Sequence, residues 1–156
     1  MLEKILLALD ESEHARKAVP AVVELARAGG GTVYVLHVRE VILATARLVD
    51  DSAEEASGLV AGVVEELRQA GVAADGSVRS STAGPARAIL EQARDLDATL
   101  IVLGSRGLGA LGGLLLGSVA HKILQLASCP VLVVRDEQSL DERHHDVLRA
   151  QTRFQA

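Results

Sequence analysis

Aromatic residues are almost missing from this sequence. Its 156 residues include one tyrosine (Tyr34), one phenylalanine (Phe154) and no tryptophan. Surfaces that bind single-stranded nucleic acid stack bases on such rings, so that class of function is excluded. Cys129 is the only cysteine, which rules out an intrachain disulfide and a thiolate metal cage and fits a reducing compartment. No apolar run approaches the roughly 18 residues that a membrane span needs. The opening stretch from Met1 to Asp10 is short and carries Glu3 and Lys4 too early for a signal peptide. The expectation is a cytoplasmic chain with no membrane partner. A basic stripe is missing as well: 16 Lys and Arg stand against 21 Asp and Glu, for a net charge of −5. Duplex nucleic acid is a poor partner for such a surface.

What remains is an aliphatic globular chain, 49% apolar and 24% charged, of a length that fits one domain. It is large enough to bury a core without disulfide or metal staples. Charge is unevenly spread. Residues 40–66 hold seven acids and one cation, Arg47, and read as a solvated helix face, whereas residues 104–134 hold Arg106 and Lys122 and no acid. The second stretch is where an anionic ligand is expected.

Short apolar runs alternate with longer amphipathic ones. Ile5-Leu6-Leu7-Ala8-Leu9, ended by Asp10, predicts a buried strand. Ser12 is placed to cap a helix with apolar residues at Ala15, Ala18, Val19, Val22, Val23 and Ala26. Pro20 inside that pattern predicts a kink or a late helix start, and Gly29-Gly30-Gly31 ends it. Thr32 to Val38 predicts a second strand, residues 50–70 a helix closed by Gly71, and residues 75–80 a weak strand. Gly84-Pro85 opens a helix through Arg94. Thr99 to Leu103 is a further buried strand, Ser118 to about Ala127 a short helix, and Pro130 to Val134 a last strand. Strands buried on both faces and alternating with helices predict a doubly wound α/β sandwich around a parallel sheet. Residues 136–156 form a charged extension with few apolar positions.

The stretch from Gly104 to Ser118 holds six glycines in fifteen residues, leaving a buried strand and entering a helix. Such a loop brings backbone N–H groups close to phosphate, and Gly117-Ser118 adds free amides at a helix N-terminus. Two common phosphate-binding patterns fail here. Gly107-x-Gly109-x-x-Gly112 follows the fourth strand rather than the first, with Leu132 where a ribose-binding acid would stand. Gly117-Ser118 also lacks the lysine of a P-loop.

The spacing Gly104-x2-Gly107-x9-Gly117-Ser118 resembles the ATP-binding motif of the universal stress protein family. The resemblance spans residues 2 to about 135. Its other landmarks are Ile5-Leu6-Leu7-Ala8-Leu9-Asp10, Leu36-His37-Val38, Gly84-Pro85-Ala86, Ile101 to Gly107 and Cys129-Pro130-Val131-Leu132-Val133-Val134. Glu11 and Ala98-Thr99 depart from the family, which often has Gly after the first aspartate and Ala-Asp before the fourth strand. The resemblance implies a five-stranded sheet in the order 3-2-1-4-5, the adenine nucleotide alpha hydrolase-like fold, over residues 1–135. ATP would lie in a crevice between the first and fourth strands. Ala8 and Asp10 would meet the nucleoside and Val38 the adenine. Gly104, Ser105, Arg106 and Gly107 would line the ribose and first phosphates, and Gly117, Ser118 and Val119 the remaining ones. A divalent ion, Mg2+ or Mn2+, would be held through the phosphates and water.

Other residues read more plainly. His37 is expected to be a packed or hydrogen-bonded imidazole, His121 exposed, and Cys129 a small buried hydrophobe. No base is positioned for catalysis near the glycine loop. The resulting expectation is a cytoplasmic ATP-binding stress-response protein that signals by binding. A slow nucleotide hydrolase and a binder of another adenine nucleotide, such as cyclic AMP, remain as alternatives. The flat apolar strand Pro130–Val134, at the sheet edge in the family's order, predicts a homodimer.

Overall fold

The computed structural model describes residues 2–10, 13–41, 51–104 and 117–135. Among the described residues the elements run β1 (Lys4–Leu9), α1 (Glu13–Arg16), α2 (Ala18–Gly29), β2 (Thr32–Glu40), α3 (Asp51–Gln69), β3 (Ala74–Ser81), α4 (Pro85–Asp95), β4 (Leu100–Gly104), α5 (Ser118–Leu126) and β5 (Val131–Val134). The strands form one parallel sheet in the order β3-β2-β1-β4-β5, as expected for the doubly wound fold.

The pleat sorts each strand's side chains between two cores. Ile5, Leu7 and Leu9 of β1 join Val33, Val35, Leu100 and Val102 under α2 and α3. Leu6 and Ala8 join Leu36, Ile101 and Leu103 under α4 and α5. With both faces covered, β1 reads as a continuous apolar run instead of an alternating one. Each fully buried Leu or Ile contributes about 1.5–3 kcal/mol over leaving it exposed.

Local chemistry explains the element ends. The chain breaks between α1 and α2 at Lys17, which places Pro20 in the first turn of α2, where its missing N–H leaves no helical bond unmade. Gly30, at φ 67°, closes α2 in the left-handed conformation. Pro85 occupies the first turn of α4 after Gly84. The edge strand β3 is longer than its sequence suggests, because exposed Asp75, Ser77 and Ser80, spread over both faces, break any apolar pattern. Thr99 ties the start of β4 to β1. Its hydroxyl donates to the Lys4 carbonyl at 3.0 Å and accepts from the Lys4 N–H at 3.1 Å. This pair of bonds clips β4 to β1 at their amino ends.

Candidate functional site

The strand order reverses at β1: the chain proceeds outward through β2 and β3 on one side, then returns to β4 and β5 on the other. In open α/β sheets ligands bind in a crevice at the carboxyl ends of the strands beside such a reversal, which makes the β1–β4 end the candidate site here.

The residues named from the sequence gather at this end. Ala8 lies between Leu36 of β2 and Leu103 of β4 and shares its face with Val38 and Val119, which pack against the same core. Its side chain is the smallest of the three paired residues. Asp10 follows the last residue of β1, partly exposed, and Gly104 ends β4. Gly117 precedes α5 in an extended conformation (φ −65°, ψ 154°) with no side-chain cap, and its carbonyl accepts the first helical bond, from His121 N–H at 2.9 Å. The first-turn amides of α5 have no partner within the helix, and its positive dipole end carries no acid in the first turn. Ser118 is exposed and Val119 half-buried. Ser105, Arg106 and Gly107 lie outside the described residues, as do Glu11, Ser12 and residues 136–156.

His37 and His121 stand as expected. His121 is exposed; His37 is 5% exposed, and its Nδ1 lies 3.0 Å from the Leu9 carbonyl. Cys129 is half-buried against the α4–α5 core instead of fully enclosed, because it stands at the sheet's edge just before β5. Burial still pushes its thiol up from the ordinary cysteine value, which keeps it protonated and unreactive near neutrality. Sequence reasoning did not single out Leu36 and Leu103 as the neighbours that flank Ala8; the strand register carries that signal. A separate half-open cavity of about 220 Å³ lies between β3 and α4, lined by Leu6, Tyr34, Asp75, Ser77, Gln92 and Leu96 among others, and touches none of the predicted site residues. Among the described residues no three His, Cys, Asp or Glu converge as a metal site, and no helix is long and apolar enough to cross a membrane.

A five-stranded parallel sheet of this order with helices on both faces is the adenine nucleotide alpha hydrolase-like fold. Comparison with known proteins narrows the class. The sequence model of the universal stress protein family matches residues 1–135. The universal stress protein YxiE of Bacillus subtilis (strain 168) is 35% identical over 150 residues, covering 86% of this chain and 100% of the relative. A universal stress protein of Thermus aquaticus is 39% identical over 139 residues, covering 86% of this chain and 100% of the relative. The universal stress protein of Archaeoglobus fulgidus, solved in complex with dAMP, superposes with a TM-score of 0.67 at 27% identity, covering 85% of this chain and 98% of that one. This chain belongs to the universal stress protein family.

Proposed function

We propose that this chain is a stress-response protein of the cytoplasm that binds ATP in the β1–β4 crevice and acts through the nucleotide-bound state, not through turnover. The observation that carries the reading is the convergence of Ala8, Val38 and the uncapped, acid-free start of α5 at the sheet's reversal. The dAMP complex of the Archaeoglobus fulgidus relative supports an adenine nucleotide as the ligand class. The donor set fits a polyphosphate: backbone amides at a helix N-terminus, preceded by glycine. Gly104, Ser105, Arg106 and Gly107 would line the ribose and first phosphates, and Gly117, Ser118 and Val119 the rest. A divalent ion would be held through the phosphates and would neutralise part of their charge. Residues 1–135 would form the nucleotide-binding domain, with residues 136–156 as an extension.

Calorimetry with ATP, ADP, AMP and cyclic AMP, together with acid release of any co-purifying nucleotide, tests the assignment. Asp10 supplies the carboxylate for the ribose hydroxyls, so Asp10→Ala is expected to weaken binding by about 1–3 kcal/mol, the range for losing a charged hydrogen bond. If affinity holds and only stability drops, Asp10 is a helix cap and not a ribose ligand.

The same chain is proposed to pair with a second copy through β5. Of the two sheet edges, β3 carries Asp75 and Arg79, which discourage pairing, whereas β5 is Val131-Leu132-Val133-Val134, half-buried along its length with β4 as its neighbour. Antiparallel pairing would satisfy its outer N–H and C=O groups in a two-fold dimer. Sedimentation of the full chain and of a truncation ending at Asp136 should give dimers for both. Two monomers would refute the pairing, and a dimer seen only after truncation would make residues 137–156 a cover for the edge.

A further inference from the structure

His37 is the single buried polar side chain among the described residues, set in a face whose other inward positions on β1 and β2 (Ile5, Leu7, Leu9, Val33, Val35) are aliphatic. Packing alone asks only for another aliphatic residue there, and an imidazole is costly to bury unless it is hydrogen-bonded. Its Nδ1 is 3.0 Å from the Leu9 carbonyl oxygen. A carbonyl only accepts, so the proton sits on Nδ1 and the ring donates. The position of this bond gives it meaning. The β1–β2 ladder stops at the pair Leu9–His37, while β2 continues against β3 as far as Glu40–Ser81. Beyond that last pair, Val38 travels with β3 and Asp10 leaves β1 for the α1 side. The two residues assigned to base and ribose are thus the immediate successors of the two residues joined by the imidazole. By strand alternation the His37 side chain lies on the α2–α3 side of the sheet, opposite Ala8 and Val38, so it does not touch a ligand in the crevice.

We infer that His37 is a positioning residue: its bond to the Leu9 carbonyl sets the separation of the β1 and β2 ends, and through them of Asp10 and Val38, for the nucleoside. This assignment rests on the nucleotide-binding reading above. The test pairs His37→Leu, which removes the donor and keeps an aliphatic bulk, with His37→Asn, whose side-chain amide nitrogen stands where Nδ1 stood. Affinity for ATP and for AMP is measured by calorimetry, and backbone amide exchange is followed along β1 and β2. His37→Leu should lose about tenfold in affinity, or more, for both nucleotides alike, since the nucleoside end is disturbed, and His37→Asn should recover to within about threefold of the wild type. Exchange should quicken at residues 8–10 and 37–39 and stay slow at Leu6 and Tyr34. Wild-type affinity in His37→Leu overturns the assignment. So does equal loss in both variants with exchange raised evenly along the strands, which is the mark of general destabilisation. A wild-type chain that binds neither nucleotide fails before any substitution is made, and removes the nucleotide reading together with this one.

Discussion

A Gly117→Val chain is expected to lose ATP binding altogether while folding as the wild type does. Gly117 stands just ahead of α5 at φ −65° and ψ 154°, a conformation open to any L-residue, so valine brings no backbone strain. It makes no side-chain cap bond, so none is lost. Valine is a poorer N-cap than glycine, and the expected stability change is no more than about 1 kcal/mol, a fall of roughly 2–4 °C in the thermal midpoint. The effect on the ligand is of another order. The isopropyl group would stand among the first-turn amides, where phosphate oxygens must approach to hydrogen-bond distance. Calorimetry with ATP and with adenosine separates the two ends of the site: ATP should give no measurable heat of binding, while adenosine keeps its wild-type affinity. Unchanged ATP affinity would remove the phosphates from α5.

The second large effect is on stability. Gly76 of β3 faces α3, and a Cβ built there would meet Val60 Cγ1 at 2.5 Å, Val64 Cγ2 at 2.9 Å and the Val35 carbonyl oxygen at 3.0 Å. Real Cβ atoms do not approach that closely, and one of the three neighbours is backbone of the adjoining strand. Val60 and Val64 are themselves buried in the α2–α3 core, so relief requires α3 to lift away or β3 to slide outward. Gly76→Val should therefore destabilise the fold by about 1–3 kcal/mol, the range for overfilling a packed core, with a thermal midpoint lower by roughly 2–4 °C for each of those. Gly76→Ala should fall between this variant and the wild type. Because the crevice lies across β2 from this contact, ATP affinity of the folded protein should be unaltered. A Gly76→Val chain that melts with the wild type would mean that α3 does not press on the sheet as described.

Much of the architecture can be read along the chain, for identifiable reasons. β1 and β4 are buried on both faces and betray themselves as unbroken aliphatic runs, and Pro20 marks the break before α2. The paired glycine and proline at Gly84-Pro85 mark the start of α4. The strand order is a different matter. Periodicity does not encode it; it came with the resemblance to a family, carried by the glycine spacing and the landmarks around it. β3 was legible only as a weak strand because its register in the sheet places Asp75 and Ser77 outward, and Gly76 gave no hint that α3 rests on it. The site divides in the same way. Ala8, Asp10, Val38 and Gly117 follow from motif positions, whereas Leu103 is recognised as a neighbour of Ala8 only through its pairing with that residue, 95 residues earlier. The Leu9–His37 bond and the Thr99 clip on Lys4 likewise depend on which strand ends adjoin, and no local pattern announces that.

The central place of β1 carries a consequence for how the protein is made. The first strand to leave the ribosome can pair at once with β2, 28 residues on, but its other edge waits for Leu100 to Leu103. Closing that longer loop is slower on entropic grounds alone. Until it closes, a nascent chain holds β3, β2 and β1 with the flat edge Ile5-Leu6-Leu7-Ala8 uncovered, the kind of surface that recruits other chains. Docking of β4 buries that edge and engages Thr99 with Lys4 in one event. A nucleotide bound as proposed between β1 and β4 would select chains that have passed this step, and by mass action would hold them there.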